Sequence, residues 1–88
     1  MRVIVSKQFL KDLKKLPKNF RSRIETFVFQ SLKNINSIEE IKNLKKLSGT
    51  DNAYRIRFGD YRLGLFFENG SLMFTVIGAR GDFYKKFP

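Results

Sequence analysis

The chain has 88 residues, 42% of them hydrophobic, and a formal net charge of +10. This length fits a single domain over residues 1–88, and the apolar content is too high for a disordered chain. Because the sequence contains neither Cys nor His, it excludes disulfide bonds, a thiol nucleophile and the usual neutral-pH acid–base group.

The first half of the chain predicts one strand followed by two helices. The β-branched segment MRVIV at residues 1–5 favours a strand, and Ser6 is a suitable N-cap for the helix that follows. Pro17 separates this helix from a second one, whose apolar stripe runs from Phe20 to Ile35. Both apolar stripes indicate helices that pack on a core.

The second half predicts a series of strands. The segment SIEE at residues 37–40 resembles a capping box and predicts a short helical turn, and residues 44–47 are compatible with a short strand. Two-residue turn signals, GD at 59–60 and NG at 69–70, separate apolar runs and predict two hairpins. This order of elements predicts an α+β fold in which two N-terminal helices pack on one face of a small, largely antiparallel β-sheet.

The first predicted hairpin concentrates arginines on one face of the sheet. A two-residue loop places Arg57 opposite Arg62 and Arg55 opposite Gly64, and strand alternation turns all three arginines away from the core. Like charges that face each other on paired strands are destabilising, so this arrangement predicts an anionic ligand such as a row of phosphates. Gly64 indicates that some group approaches the backbone closely. The alternative is that acids from the tail or the helices pair with these arginines.

The position of the last arginine depends on the register of the final strand. Strict alternation places Val76 on the core face, Ile77 on the open face and Arg80 on the core face. A bulge at Gly78, or an end of the strand there, moves Arg80 and Tyr84 towards the arginine face.

The C-terminal tail, RGDFYKKFP, is basic and aromatic. Aromatic residues interleaved with cations are typical of proteins that stack bases of single-stranded nucleic acid, which makes Phe83, Tyr84 and Phe87 candidates. The alternative is that Phe83 and Phe87 pack the tail onto the domain, and for Phe87 we favour this alternative.

Two segments of the chain resemble a known family. KKLSGTDNAYRIRFGDYRLGLFF, followed by VIGARGDFY, is similar to the RelE/ParE superfamily of type II toxins. The resemblance implies a RelE-like fold and a metal-independent endoribonuclease without a cofactor, which cuts translated messenger RNA in the ribosomal A site and so inhibits translation. It also implies an acidic RelB-like antitoxin and contacts with operator DNA made mainly through the antitoxin complex. We expect a cytoplasmic protein with no membrane contact.

The resemblance also implies roles for individual residues. Arg62 matches a catalytic arginine at the scissile phosphate, and Arg80 matches the catalytic arginine of the last strand. Tyr84 matches the catalytic tyrosine that stacks on or orients the cut nucleotide. The expected RNA-binding residues are Arg55, Arg57, Lys85 and Lys86. Many relatives carry a histidine where this chain has Ala79, which leaves proton transfer open between Asp82, Tyr84 and the tail lysines.

Two alternatives to RNA cleavage stay open. One is a ParE-like toxin that inhibits DNA gyrase, although such relatives generally lack the full combination of arginines and tyrosine. The other is a weakened toxin that only binds its antitoxin or nucleic acid.

Overall fold

A five-stranded β-sheet is the centre of the computed structural model, which describes residues 1–88. The strands in chain order are β1 (Arg2–Val5), β2 (Leu44–Lys46), β3 (Ala53–Phe58), β4 (Tyr61–Glu68) and β5 (Ser71–Ala79). Within the sheet they lie in the order β1-β5-β4-β3-β2. Only the β1–β5 pair is parallel, so the predicted largely antiparallel sheet is confirmed.

Two helices cover one face of this sheet. They are α1 (Lys7–Lys14) and α2 (Lys18–Phe29), which follow β1 as predicted. Ser6 caps α1, because its Oγ accepts a hydrogen bond from the backbone N–H of Phe9 at 3.0 Å. None of the helices has the length and apolar composition that a membrane crossing requires.

Two short 3-10 helices, Ser31–Asn34 and Ile38–Glu40, connect α2 to β2. The second confirms the predicted turn, since the Glu40 carboxylate accepts a hydrogen bond from the Ser37 N–H at 2.9 Å. The second predicted helix ends at Phe29 rather than continuing to Ile35, although its apolar stripe from Ile24 onwards still packs on the core.

The main core lies between the helices and the sheet. Its twelve buried side chains are Phe9, Leu13, Ile24, Val28, Leu32, Ile41, Ile56, Leu63, Leu65, Leu72, Phe74 and Ile77. One acid, Asp12 of α1, is buried beside them. Its carboxylate accepts hydrogen bonds from the Ile77 N–H at 2.9 Å and from the Gln8 side-chain amide at 2.9 Å. Asp12 thus satisfies a backbone N–H on the part of β5 that lies beyond the reach of β1.

The register between β4 and β5 contains a bulge, but not at Gly78, where a bulge or an end of the strand was predicted. Two consecutive residues of β4 face three residues of β5, which leaves Thr75 as the extra residue. This shift moves Ile77 into the main core and Val76 to the opposite face, the reverse of the prediction for both. Because the bulge precedes Gly78, it also carries Arg80 to the face opposite the helices.

The face opposite the helices was predicted to be open. In the structure the tail covers part of it. The tail forms a short helix, α3 (Phe83–Lys86), and the exposed fractions of Phe83 and Phe87 are 0% and 4%. A Cβ added to Gly64 would lie 2.8 Å from the Phe87 ring, and one added to Gly78 would lie 2.9 Å from the Phe83 Cα. The group that approaches Gly64 closely is therefore Phe87, and neither phenylalanine is available to stack a base.

Candidate nucleic-acid interface

The first hairpin has the predicted register. Arg57 lies opposite Arg62 and Arg55 lies opposite Gly64 across β3 and β4. On its other side, Arg62 is the partner of Gly78 in β5, two residues before Arg80. Since side chains alternate along a strand, Arg80 follows Gly78 onto the same face as Arg62.

Three of the arginines surround one open cavity of about 510 Å³. These are Arg57, Arg62 and Arg80, and the other lining residues, none of them hydrophobic, are Asn43, Gly59 and Asp60. We call this space the arginine cavity. The structure therefore brings together both predicted catalytic arginines and one of the two predicted RNA-binding arginines.

Backbone carbonyl groups hold two of the guanidinium groups on this face. The Arg62 Nη1 donates to the Gly59 and Tyr61 carbonyl oxygens, each at 3.0 Å. The Arg55 Nη1 donates to the Asn43 carbonyl oxygen at 2.9 Å, and its buried Nε has no hydrogen-bond partner. Arg55 supports Asn43 at the wall of the arginine cavity but does not line the cavity itself.

No carboxylate neutralises these arginines. The single ion pair of the chain joins Lys85 to Asp82 at 3.8 Å, with both side chains largely exposed. Asp60 lines the arginine cavity but lies beyond ion-pair distance of the guanidinium groups. The alternative in which acids of the tail or the helices pair with the arginines is therefore wrong, and the cavity carries concentrated positive charge.

Tyr84 is the one aromatic residue of the tail that solvent reaches, with 56% of its surface exposed. It does not line the arginine cavity. Instead it lines a neighbouring groove of about 400 Å³ together with Lys45, Lys46 and Ser48. Lys45 lies opposite Arg55 in the sheet, so β2 connects this groove to the arginine face.

The other predicted residues of the tail lie on a different side. Asp82 and Lys86 line a small cavity of about 250 Å³ next to α1, whose residues Asp12 and Lys15 form another part of its wall. Lys85 is exposed and paired with Asp82. The structure does not bring Asp82, Lys85 or Lys86 into the arginine cavity, and their roles stay predictions.

Four residues around the two sites were not predicted from the sequence: Asn43, Asp60, Lys45 and Lys46. Asn43 has a φ of +65°, a left-handed conformation that Asn tolerates better than most residues. That conformation directs the chain so that the Asn43 carbonyl meets Arg55, which no local sequence pattern indicates. Lys45 is the exception, because alternation within a strand at residues 44–47 places it on the arginine face once pairing with β3 is assumed.

Comparison with known proteins identifies the family. The family described as ParE toxin of type II toxin-antitoxin system, parDE, matches residues 3–78. The chain belongs to the RelE/ParE superfamily of type II toxins. This superfamily member is 37% identical over 89 residues to Toxin RelE3 of Methanocaldococcus jannaschii, with 100% of both chains covered.

Solved structures of RelE proteins have the same fold as this RelE/ParE-superfamily chain. A chain of the RelB-RelE antitoxin-toxin complex from Methanococcus jannaschii superposes with a TM-score of 0.81 at 34% identity, covering 97% of this chain and 99% of that one. A chain of the archaeal RelE-RelB complex from Pyrococcus horikoshii OT3 gives 0.70 at 31% identity, covering 91% and 94%. The fold class and the family predicted from the sequence are confirmed.

Proposed function

We propose that this chain is the toxin of a toxin–antitoxin pair and acts as a ribosome-dependent endoribonuclease that cuts translated messenger RNA in the A site. The observation that carries this proposal is the arginine cavity, which three arginines line without an ion pair to any carboxylate. A phosphodiester fits such a site, because guanidinium groups donate paired, charge-assisted hydrogen bonds to phosphate oxygens.

The proposed reaction uses the ribose 2′-hydroxyl as nucleophile. The 2′-oxygen attacks the adjacent phosphorus while the bond from phosphorus to the 5′-oxygen of the next nucleotide breaks. The products are a 2′,3′-cyclic phosphate and a free 5′-hydroxyl, so one proton leaves the 2′-oxygen and one reaches the 5′-oxygen. The protein must align the attack, stabilise the extra negative charge and move these two protons.

The lining of the arginine cavity divides these tasks. Arg62 and Arg80 suit charge stabilisation, and because guanidinium groups stay protonated, another group must accept a proton. Asp60 is the carboxylate that lines the same cavity, so it is placed better for proton transfer than Asp82, Tyr84 and the tail lysines, which lie outside the cavity. The exposed ring of Tyr84 offers a stacking surface for a base that flanks the cut phosphate.

The proposed protein partner is an acidic RelB-like antitoxin. RelE relatives with this fold were crystallised as complexes with RelB. The net charge of +10 favours an acidic partner through electrostatic complementarity. Contacts with operator DNA, like the cytoplasmic location, follow from membership of such a pair, and most of the DNA contacts belong to the antitoxin.

Primer extension on messages from induced cells tests the proposal. The wild-type protein should give cuts at fixed codon positions, whereas Arg62→Ala and Arg80→Ala should give none and no growth arrest. Thermal unfolding should show that both variants are folded. Lys33→Ala removes an exposed charge that does not line the arginine cavity and serves as the matched control, which should cut like the wild type.

Other outcomes would contradict the proposal in distinct ways. Supercoiling defects without message cuts would favour gyrase inhibition, the second candidate because the matched family carries the ParE name. Neither cuts nor supercoiling defects would favour a protein that only binds its antitoxin or nucleic acid. Full toxicity of both arginine variants would refute the roles of Arg62 and Arg80.

A further inference from the structure

The turn between β3 and β4 holds both proposed catalytic arginines. Two of its carbonyl oxygens, those of Gly59 and Tyr61, accept hydrogen bonds from the Arg62 guanidinium at 3.0 Å. The carbonyl oxygen of Asp60 accepts a hydrogen bond from the backbone N–H of Arg80 at 2.8 Å. The position of this turn therefore sets the positions of the Arg62 guanidinium and the Arg80 backbone.

A side chain from α2 packs on this turn. Phe20 is half-buried, yet it does not belong to the main core. A Cβ added to Gly59 would lie 2.7 Å from its Cε1, so the Phe20 ring occupies the space that a side chain at position 59 would need. The same ring meets the ring of Tyr61 edge-on, with 5.0 Å between the centroids.

A neighbouring arginine on α2 covers the outer side of this contact. The Arg23 guanidinium lies 5.7 Å from the centroid of the Phe20 ring and 5.2 Å from that of Phe58, the residue before the turn. Gly59 has a φ of +61°, a left-handed conformation that favours glycine, and its missing Cβ allows the close approach of Phe20. Phe20 and Arg23 of α2 thus contact the turn and the residues that flank it.

We propose that Phe20 is a positioning residue, which seats the 59–61 turn and so fixes Arg62 and Arg80 at the spacing that a reacting phosphate requires. Phe20 does not line the arginine cavity and acts through the turn alone. This inference rests on the proposed function, because the benefit of a fixed spacing is a faster chemical step. A misplacement of about 1 Å at a reacting centre can lower a rate by about 100-fold.

The first test measures the seating of the turn without any cleavage assay. In Phe20→Ala, amide hydrogen exchange at Arg80 should accelerate by at least about 10-fold relative to the core amide of Ile77. The control is Phe29→Ala, which truncates a half-buried phenylalanine of the same helix that packs on the main core instead. This control lowers global stability, so exchange at Arg80 should accelerate no more than exchange at Ile77.

The second test asks whether Phe20 acts through Gly59. Gly59→Ala places a methyl group against the Phe20 ring, but the same methyl group has space in Phe20→Ala. The strain of alanine at a positive φ is equal in both backgrounds and cancels in a double-mutant cycle. The exchange at Arg80 should therefore respond much less to Gly59→Ala when Phe20 is absent, and equal responses would overturn the inference.

The third test measures cleavage by the purified toxin on ribosomes carrying message. Phe20→Ala should lower kcat by about 10-fold to 100-fold and change KM by less than about threefold, because Arg62 and Arg80 act on the transition state. Phe29→Ala should keep both constants at a temperature where it is folded.

Unchanged exchange at Arg80, an unchanged kcat, or a rise in KM alone would each overturn the inference. A wild-type protein that does not cleave would refute the proposed function and the kinetic part of the inference, and the exchange data would still decide whether Phe20 seats the turn.

Discussion

The face of the sheet opposite the helices divides into two halves that use the same strands in different ways. In the tail half, Gly64 and Gly78 leave room for the rings of Phe87 and Phe83, which seal the sheet from water. In the arginine half, Arg57 faces Arg62 across the same pair of strands and leaves a cavity. Where the strands carry glycine, an aromatic ring packs over the sheet and closes the face. Where two arginines are cross-strand partners, the face stays open.

The two halves also differ in what they contribute to stability. Burial of one phenylalanine side chain stabilises a fold by about 2–3 kcal/mol, whereas an exposed pair of like charges costs a few tenths of a kcal/mol. The tail half therefore contributes more than the arginine half costs. In a chain of 88 residues with a small core, this balance lets one face serve both folding and binding.

The strongest test of this comparison removes an aromatic ring from the tail half. Phe83→Ala should lower the free energy of unfolding by about 3 kcal/mol, because the side chain is fully buried and its loss leaves a cavity. Urea unfolding measures the change. Tyr84→Ala, one residue further and exposed, is the control and should cost only about 1 kcal/mol, because it loses just the edge-on contact with the Phe83 ring. Similar losses in both variants would show that the tail is not anchored through Phe83.

A smaller effect is expected when the space left by a glycine is filled. Gly78→Ala should lower the free energy of unfolding by about 2 kcal/mol, since the new methyl group would meet the backbone of Phe83. Gly81→Ala is the matched control, because nothing lies within 4 Å of a Cβ at that position. If denaturant unfolding gave the same stability for the two variants, the close packing of α3 on β5 would be wrong.

The third test concerns β5, the strand that both halves share, and its support from the helix side. Asp12→Leu should cost about 2 kcal/mol, because it leaves the buried Ile77 N–H without an acceptor. Asp12→Asn should cost less, because its amide oxygen can accept from Ile77 while its NH₂ donates to a flipped Gln8 amide. Equal losses in thermal and urea unfolding would mean that charge, rather than hydrogen bonding, is the property that matters at this position.

Much of the fold could be predicted from the sequence, because it depends on local signals. Ser6 is followed by a helix, and the two-residue turn at 59–60 fixes the register of β3 and β4. That register alone correctly placed Arg55, Arg57 and Arg62 on the face opposite the helices. The alternation of side chains along a strand predicts their faces reliably wherever a turn fixes the strand register.

The rest of the site depends on long-range packing that local patterns do not encode. The bulge at Thr75 reverses the faces of Val76 and Ile77, and no glycine or proline stands next to Thr75 in β5 to mark it. The burial of Phe83 depends on where the tail crosses the sheet, which follows from the space above Gly78. The grouping of Tyr84 with lysines of β2, rather than with the arginines, depends on the same crossing.

The smallest expected effect tests the arginine half directly. Arg57 is exposed, and its side chain forms neither a hydrogen bond nor an ion pair within the chain. Arg57→Gln should therefore raise the free energy of unfolding by a few tenths of a kcal/mol, about 0.3, at low salt, because it removes the repulsion across the strand pair with Arg62.

Lys33→Gln separates this local repulsion from the general effect of lowering a net charge of +10, since it removes the same charge from an exposed residue that does not line the arginine cavity. The difference between the two variants in urea unfolding should shrink as salt rises and screens the guanidinium pair. The affinity of Arg57→Gln for an RNA oligonucleotide should fall, and its salt dependence should weaken, while Lys33→Gln keeps both. If the repulsion on this face is retained for binding, Arg57→Gln should be more stable and bind RNA less well. A loss of stability in Arg57→Gln would instead show that the arginine half supports the fold as the tail half does.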